Sequence, residues 1–512
     1  MENSRKLTFI NLFTGVITMG IQIIVSFFLS PYIVKTLGAE ANGFVQLANN
    51  FVMYASLITV AFNSMAGRFI SISYHRGEFD KAKSYYSSAV LCNMALIVLF
   101  IPMAVIIISK IDRIIDCGNT PIQDIKLIFL FVFVNYFIGL ITSLLSIAFY
   151  VKNELYINNI INLFRNIMNA VSLLFIFLIF PPRVFYTSLV MVALSIVLVP
   201  IYIKYKKSLL PEISFEKKYA NYSSLIIMLK SGVWNTINQC GHILMTGLDL
   251  LITDIFIDPE AMGELAVAKT IPTTIASLAT VLNTNFAPEL TIDWANENKK
   301  DMLVNLKKNM RISSVLVSMP VVTFSVFSIS FYRLWVPSLN AERLGVLSIL
   351  TMMAFIPLAG PQTLNNIFQA ANRLKVNSIA FFITGILNVG IVYLLLDKTD
   401  LGVYAVAGVS SALAIVRNLT LTMIYTAYLM GQKWYIFYKD VLISLLCSFI
   451  NFSVGIFIAF SLPTDSWLGL ISSVVLTCVM TLTIELLFMF SKNERQLFID
   501  KIKGRFLKNG KS

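Results

Sequence analysis

The sequence predicts an all-α, polytopic membrane protein with about 14 transmembrane helices. Three observations lead there. Of 512 residues, 57% are hydrophobic and 13% charged, about half the charged share of an ordinary soluble domain. The apolar residues fall into runs long enough for a hydrocarbon core of about 30 Å, which takes about 20 residues at 1.5 Å each. Lysine and arginine concentrate in alternate loops between those runs, the pattern that membrane insertion imposes.

In chain order the runs are 10–34, 43–66, 84–109, 127–150, 155–180, 184–203, 231–255, 263–289, 312–332, 344–366, 377–396, 403–428, 440–461 and 467–490. Transmembrane strands are about ten residues long and alternate in polarity, and these segments do neither. Arg5 and Lys6 before the first run imitate a signal peptide. However, the uncharged stretch Leu7–Val34 is too long for a signal core and lacks a small-residue cleavage site, so it reads as an uncleaved first helix.

Charge placement tests this map. Segments on the N-terminal side (1–9, 67–83, 151–154, 203–230, 291–311, 367–376, 429–439 and 491–512) hold 29 lysines and arginines, the opposite loops hold 8, and 3 lie inside helices. A misplaced helix would invert every later loop and spoil the alternation. An even helix number and the positive-inside rule then place both termini in the cytoplasm. The net charge of +13 is a result of that asymmetry. The basic residues are spread over eight segments without stacking or groove-reading motifs, so no nucleic-acid partner is expected. In the tail Glu494–Lys511, Phe498, Ile502 and Phe506 interleave with Lys501, Arg505 and Lys508; an interfacial helix on anionic lipid and a solvated tail both fit.

Cys92, Cys240, Cys447 and Cys478 lie in apolar runs and Cys117 in a loop, with no metal or disulfide spacing. There is no G-x-x-x-x-G-K-[ST] loop and no credible nucleophile–base set. No cofactor is expected and ATP is not expected to drive transport directly, which leaves an ion gradient open as an energy source.

The long loops 203–230 and 291–311 suggest two six-helix lobes succeeded by two extra helices. The expected division is an N-lobe over 1–205, an inter-lobe loop over 206–230, a C-lobe over 231–430, helices thirteen and fourteen over 431–490 and a basic tail over 491–512. At a fixed offset of 220, Ala39–Asn50 lies over Pro259–Thr270, with Glu40, Ala41, Gly43 and Ala48 matching Glu260, Ala261, Gly263 and Ala268. Asn63 matches Asn283 in the same register. Six helices separate the copies, so they are parallel repeats, the arrangement of carriers with a site between lobes.

Polar residues inside the runs point to that site, because an ionised group at the bilayer centre normally faces protein or a water-filled cavity. Asn158, Asn162, Arg165, Asn169 and Ser172 recur at i, i+4, i+7, i+11 and i+14 in helix five, one helix face. A guanidinium offered to phosphate and a structural arginine both fit Arg165. Asn235, Gln239, His242, Thr246 and Asp249 repeat the spacing in helix seven; His242 is a packed residue or a proton carrier. Lys269 enters helix eight at a depth similar to Asp249, and an ion pair between them stands beside substrate contact. Arg417 in helix twelve suits an anion or a packing contact. Three interior cations against one clear carboxylate favour an anionic cargo.

The stretches FFLSPYIVKTLGAEANGFVQLANNF, SMAGRFISISYHRGEFDKAKSYYSSA, GVWNTINQC…GLDLLITDIF and NTNFAPELT resemble the multidrug/oligosaccharidyl-lipid/polysaccharide exporter superfamily. Within it the chain is most similar to polysaccharide transporters and Wzx-type O-antigen flippases. That resemblance implies an alternating-access carrier, not an enzyme, in the bacterial cytoplasmic (inner) membrane. Such carriers move undecaprenyl-diphosphate-linked oligosaccharide, O-antigen or another surface polysaccharide unit, to the outer leaflet, where polymerase or ligase machinery takes over. Arg165, Arg417 and Lys269 are similar to the family's cationic lumen. From the two polar stripes, Asn162, Asn169, Asn235, Gln239 and His242 are further expected substrate contacts and Asp249 a coupling or ion-pair residue. A lipid II flippase and a cation-coupled multidrug antiporter are the alternatives in the same superfamily. The absence of Asp and Glu from runs 10–34 and 344–366 disfavours the antiporter.

Overall fold

The computed structural model describes residues 2–295, 299–371 and 373–489; the basic tail expected over 491–512 lies outside the described residues. Among the described residues every regular element is helical. The chain forms two compact units, Met1–Val267 and Ala268–Ser512.

The first unit contains α1 (Glu2–Leu37), α2 (Ala39–His75), α3 (Phe79–Ser109), α4 (Ile122–Leu145), a short α5 (Ile147–Val151), α6 (Leu155–Ile179), α7 (Tyr186–Leu209), α8 (Tyr222–His242), α9 (Asp249–Phe256) and nearly all of α10 (Pro259–Ala268). The second holds α11 (Thr270–Ala295), α12 (Lys299–Trp335), α13 (Ala341–Met352), α14 (Phe355–Leu358), α15 (Asn365–Ala370), α16 (Leu374–Lys398), α17 (Val403–Arg417), α18 (Met423–Leu429), α19 (Tyr438–Ser461) and α20 (Trp467–Met489). Apolar runs of this length become helices in lipid because only a helix satisfies its own backbone there. The same environment tolerates Pro31, Pro102, Pro200 and Pro320 inside helices. Side chains such as Leu178, Phe460 and Leu468 are 81%, 88% and 85% exposed, the surface expected where acyl chains replace water.

Among the described residues, 12 helices are long and apolar enough to cross a membrane, or 13 when α10 and α11, which meet at a 41° bend, count as one span. The expected run 231–255 is not among them. It is carried by α8, a π-helical turn over Ile243–Gly247, and α9, and its polar residues dilute its hydropathy.

Within the first unit, α2 packs against α1, α3, α4 and α8, while α1 lies on α6 and α4 on α7. A core of Ala66, Ile70, Ala82, Tyr86, Ala89, Leu144 and Met228 joins α2, α3, α4 and α8. At 37 residues, α2 is about 55 Å long, so it projects well beyond one bilayer core. Its contact with α8 is backbone-close: a Cβ on Gly232 would lie 1.7 Å from the Ala61 carbonyl oxygen. Farther along, the Tyr54 hydroxyl donates to the Gly247 carbonyl at 2.7 Å.

The segment after α7 is tied down on α3. Lys206 donates to the Ile213 carbonyl and lies over the Tyr86 ring. Glu216 receives Lys83 and Lys218 at 3.4 and 3.0 Å, and its backbone N–H donates to Ser87 Oγ at 3.2 Å. At the other ends of these helices, Glu40 Oε1 accepts the Thr120 N–H and hydroxyl at 2.9 and 2.7 Å. The Asp116 N–H donates to Asp254 Oδ2 at 3.1 Å.

In the second unit α12 is the centre, flanked by α11, α13, α19 and α20. Serines, Gly360 and Gly455 on its neighbours let helices approach closely: Ser313 Oγ donates to the Ala359 carbonyl at 2.7 Å, and a Cβ on Gly455 would touch Val326 at 3.0 Å. Small residues at helix contacts are the packing solution of membrane bundles.

Candidate functional site

The first unit positions Arg165 in the middle of α6, half-buried, with Nε enclosed and without a partner. A guanidinium held this way retains a strong demand for an anion or polar group. The rest of its expected stripe divides. Asn158 is committed to the neighbouring helix, where its Oδ1 accepts the Tyr202 hydroxyl at 3.0 Å. Asn159, outside the stripe, joins α6 to α1 by donating to the Asn11 carbonyl and Thr14 Oγ1 at 3.1 and 3.2 Å. Asn162 is half-buried.

Asn169 faces an internal cavity of about 180 Å³, lined also by Asn42, Asn49, Asn135, Thr187 and Ser188. The Asn169 Oδ1 and Asn42 Nδ2 atoms are buried without partners. This chamber therefore offers one unused acceptor and one unused donor. Its volume is enough for several waters or for a hydroxyl-bearing group.

The second expected stripe is interrupted. His242 is the last residue of α8, directly before the π turn Ile243–Gly247. An inserted residue rotates the downstream side chains by about 100° in a helix of 3.6 residues per turn. Thr246 and Asp249 thus leave the face shared by Asn235, Gln239 and His242. Asp249 opens α9 at 3% exposure, and both His242 and Asp249 engage neighbouring groups. Asn235 Nδ2 donates to Ser64 Oγ at 3.2 Å.

Ser64 belongs to a second cavity of about 260 Å³, lined by Asn63, Gly67, Arg68, Ser143 and Tyr150 among others. Arg68 was not among the expected site residues, because the sequence map ended the second run at 66 and counted Arg68 as a loop charge. The helix continues to His75, so Arg68 is part of a helical wall. The signal was present in SMAGRFISISYH, where apolar residues keep helical spacing on both sides of the arginine.

In the second unit, Lys269 is half-buried at the break between α10 and α11. The neighbouring Ala268 carbonyl, left without its helical partner, accepts Ser348 Oγ at 2.8 Å and the Tyr332 hydroxyl at 3.4 Å. Arg417 ends α17, directly before a second π turn, Asn418–Thr422. Its guanidinium stacks 4.1 Å from the Phe381 ring centroid, while Nε and Nη1 are buried without partners. Stacking fixes the plane of the guanidinium without using its donors.

His242, Lys269 and Arg417 thus share a feature that spacing does not show: each sits at a break in helix regularity. Single π turns recur at functional sites because they redirect side chains and free backbone groups. Among the described residues there is no cluster of three or more His, Cys, Asp or Glu able to hold a metal ion.

The all-helical membrane bundle has the fold of solved transporters of the multidrug/oligosaccharidyl-lipid/polysaccharide superfamily. A structure of the lipid II flippase MurJ in an inward closed conformation superposes with a TM-score of 0.67 at 15% identity, covering 92% of this chain and 98% of that one. The inward-facing conformation of a multidrug resistance MATE family transporter gives 0.66 at 12% identity, covering 82% and 94%. The chain belongs to the polysaccharide biosynthesis protein family, whose model matches residues 5–291. It is also 27% identical over 500 residues to the uncharacterized membrane protein EpsK of Bacillus subtilis (strain 168), covering 96% of this chain and 98% of that protein.

Proposed function

We propose that the protein is a flippase for polyprenyl-diphosphate-linked oligosaccharide, carrying repeat units of a surface polysaccharide across the bacterial cytoplasmic membrane, with both termini on the cytoplasmic side. The observation that carries this reading is that Arg165 Nε, and Arg417 Nε and Nη1, are buried donors without protein partners. A diphosphate supplies charge-assisted acceptors for such donors, and arginine matches phosphate geometry better than lysine does. The polar chamber at Asn169 and the cavity at Arg68 add hydroxyl- and phosphate-compatible surface. Membership of a polysaccharide biosynthesis family supports the cargo class.

The experiment is deletion of the protein in its own host, with extraction of lipid-linked oligosaccharides. Loss of surface polysaccharide with accumulation of a complete lipid-linked unit is the expected result. Arg165→Ala and Arg417→Ala should reproduce it at normal protein level. Wild-type polysaccharide in both variants removes the diphosphate assignment. Rescue of a strain depleted of its lipid II flippase, with no change in surface polysaccharide, would move the cargo to lipid II.

A further inference from the structure

Glu485 lies inside the second unit at 0% exposure, among α12, α19 and α20. Its Oε1 accepts Asn451 Nδ2 at 2.7 Å and Ser318 Oγ at 3.2 Å. Its Oε2 has no partner, and neither does the Oδ1 of the same Asn451, itself at 0% exposure. Two acceptors are therefore enclosed side by side on a bonded pair with no donor for either. An ionised carboxylate here, without a cation, would carry a desolvation cost of several kcal/mol. The cations placed on this part of α12, Arg311 and Lys307, are directed to Asp440 at 2.8 and 4.0 Å. Among the described residues, the thiol of Cys447 also faces the site and adds no positive charge.

We infer that Glu485 is a proton-binding site, its Oε2–H donating to the Asn451 carbonyl oxygen in a reciprocal acid–amide pair. One proton removes the buried charge and satisfies both orphan acceptors. The amide N–H to Oε1 and the acid O–H to Oδ1 then close a ring between α19 and α20, with Ser318 attaching it to α12.

The proton has a marked route. Asp440, Ser444, Ser448 and Asn451 recur at i, i+4, i+8 and i+11 on α19, one face of that helix. Ser444 and Ser448 are buried at 3% and 4% exposure, and both hydroxyls lack partners. The stripe leads from the ion-paired end of α19 toward Glu485. Water bridging its unpartnered hydroxyls, which lie about 6 Å apart at one helical turn, would carry a proton to the acid and back. The site uses none of the residues assigned to cargo, and it stands whether or not the cargo reading holds.

Infrared spectroscopy of the full-length protein in lipid nanodiscs tests this, with carbon-13 in the glutamate side chains. The expected spectrum at pH 7 contains the carbonyl stretch of a protonated glutamic acid, lost in both Glu485→Gln and Glu485→Asp. Asn451→Leu should shift this band without removing it. Transfer to deuterated water should shift the wild-type band rapidly, and at least tenfold more slowly in the Ser444→Ala/Ser448→Ala double variant. Identical spectra for wild type and both Glu485 variants would overturn the proton site. So would a band that disappears when sodium is added. Unchanged exchange in the double variant would overturn the route.

Discussion

Gly43 and Gly263, equivalent positions of the 220-residue repeat, lie against each other: a Cβ on Gly43 would be 3.0 Å from the Gly263 Cα. One turn on, Gln46 Nε2 donates to the carbonyl of its own equivalent, Ala266, at 3.2 Å. Positions matched by the sequence repeat are thus in direct contact within the first unit. The approach requires glycine on both sides, because a Cβ on Gly263 would sit 2.5 Å from the Ala39 carbonyl carbon and the Glu40 nitrogen. Gly263→Val should cost about 1–3 kcal/mol through overpacking, read as a lower unfolding temperature in detergent.

Arg417 and Phe381 separate charge from orientation. Phe381→Leu leaves the guanidinium in place but removes the aromatic face 4.1 Å below it, a contact worth about 0.5–2 kcal/mol. Thermal stability should fall by that amount, and transport should fall by about tenfold because the donors lose their fixed plane. Arg417→Lys should perform worse than Phe381→Leu, since a lysine keeps the charge but not the fork. Equal transport in the two variants would show that charge alone matters.

The tethered segment after α7 supplies a pH prediction. Hydrogen bonding to Lys218, with Lys83 and Ser214 assisting, holds the Glu216 carboxyl below its ordinary value of 4.5. A depressed carboxylate stabilises the folded segment above the unfolded value, and that contribution is lost as pH falls through the folded one. Limited proteolysis over 210–221 should therefore accelerate below about pH 4.5 in the wild type. Glu216→Gln should be cut faster at neutral pH and show little further change on acidification. A wild-type profile flat to pH 3 would exclude the tether.

Much of this arrangement was legible in the residues, and the rest was hidden for definite reasons. Long uncharged runs such as 84–109 leave no choice but a membrane helix, and the structure has α3 there. The equivalence of Gly43 and Gly263 was legible from the repeat, but their contact was not, since an offset between matching residues carries no information on distance. The continuity of Asn235–Asp249 was not, since a π turn inserts a residue without any marker in composition. Arg68 was hidden by hydropathy, which detects where a helix leaves lipid and not where it ends. Glu485 lies close to the end of its run, where sequence alone does not mark burial; its burial comes from packing against α12 and α19, of which α12 is remote in sequence.

Arg68 gives the last test, because it lines the 260 Å³ cavity with Asn63, Ser64, Ser143 and Tyr150 and was not expected to matter. Its side chain is exposed, so its removal leaves no buried charge unpaired and should not unfold the protein. A contact between a charged donor and phosphate contributes about 1.5–3 kcal/mol, which corresponds to roughly tenfold to hundredfold in rate at 1.4 kcal/mol per decade. Arg68→Ala should reduce export by that factor at unchanged unfolding temperature, and Arg68→Lys should recover part of it. Ser64→Ala, which removes the acceptor for Asn235 and a local bond to the Ala61 carbonyl, should have a smaller effect. Full export with Arg68→Ala would leave this cavity as solvent space around a long helix, whereas a defect equal to that of Arg165→Ala would make Arg68 a third cationic contact for the diphosphate.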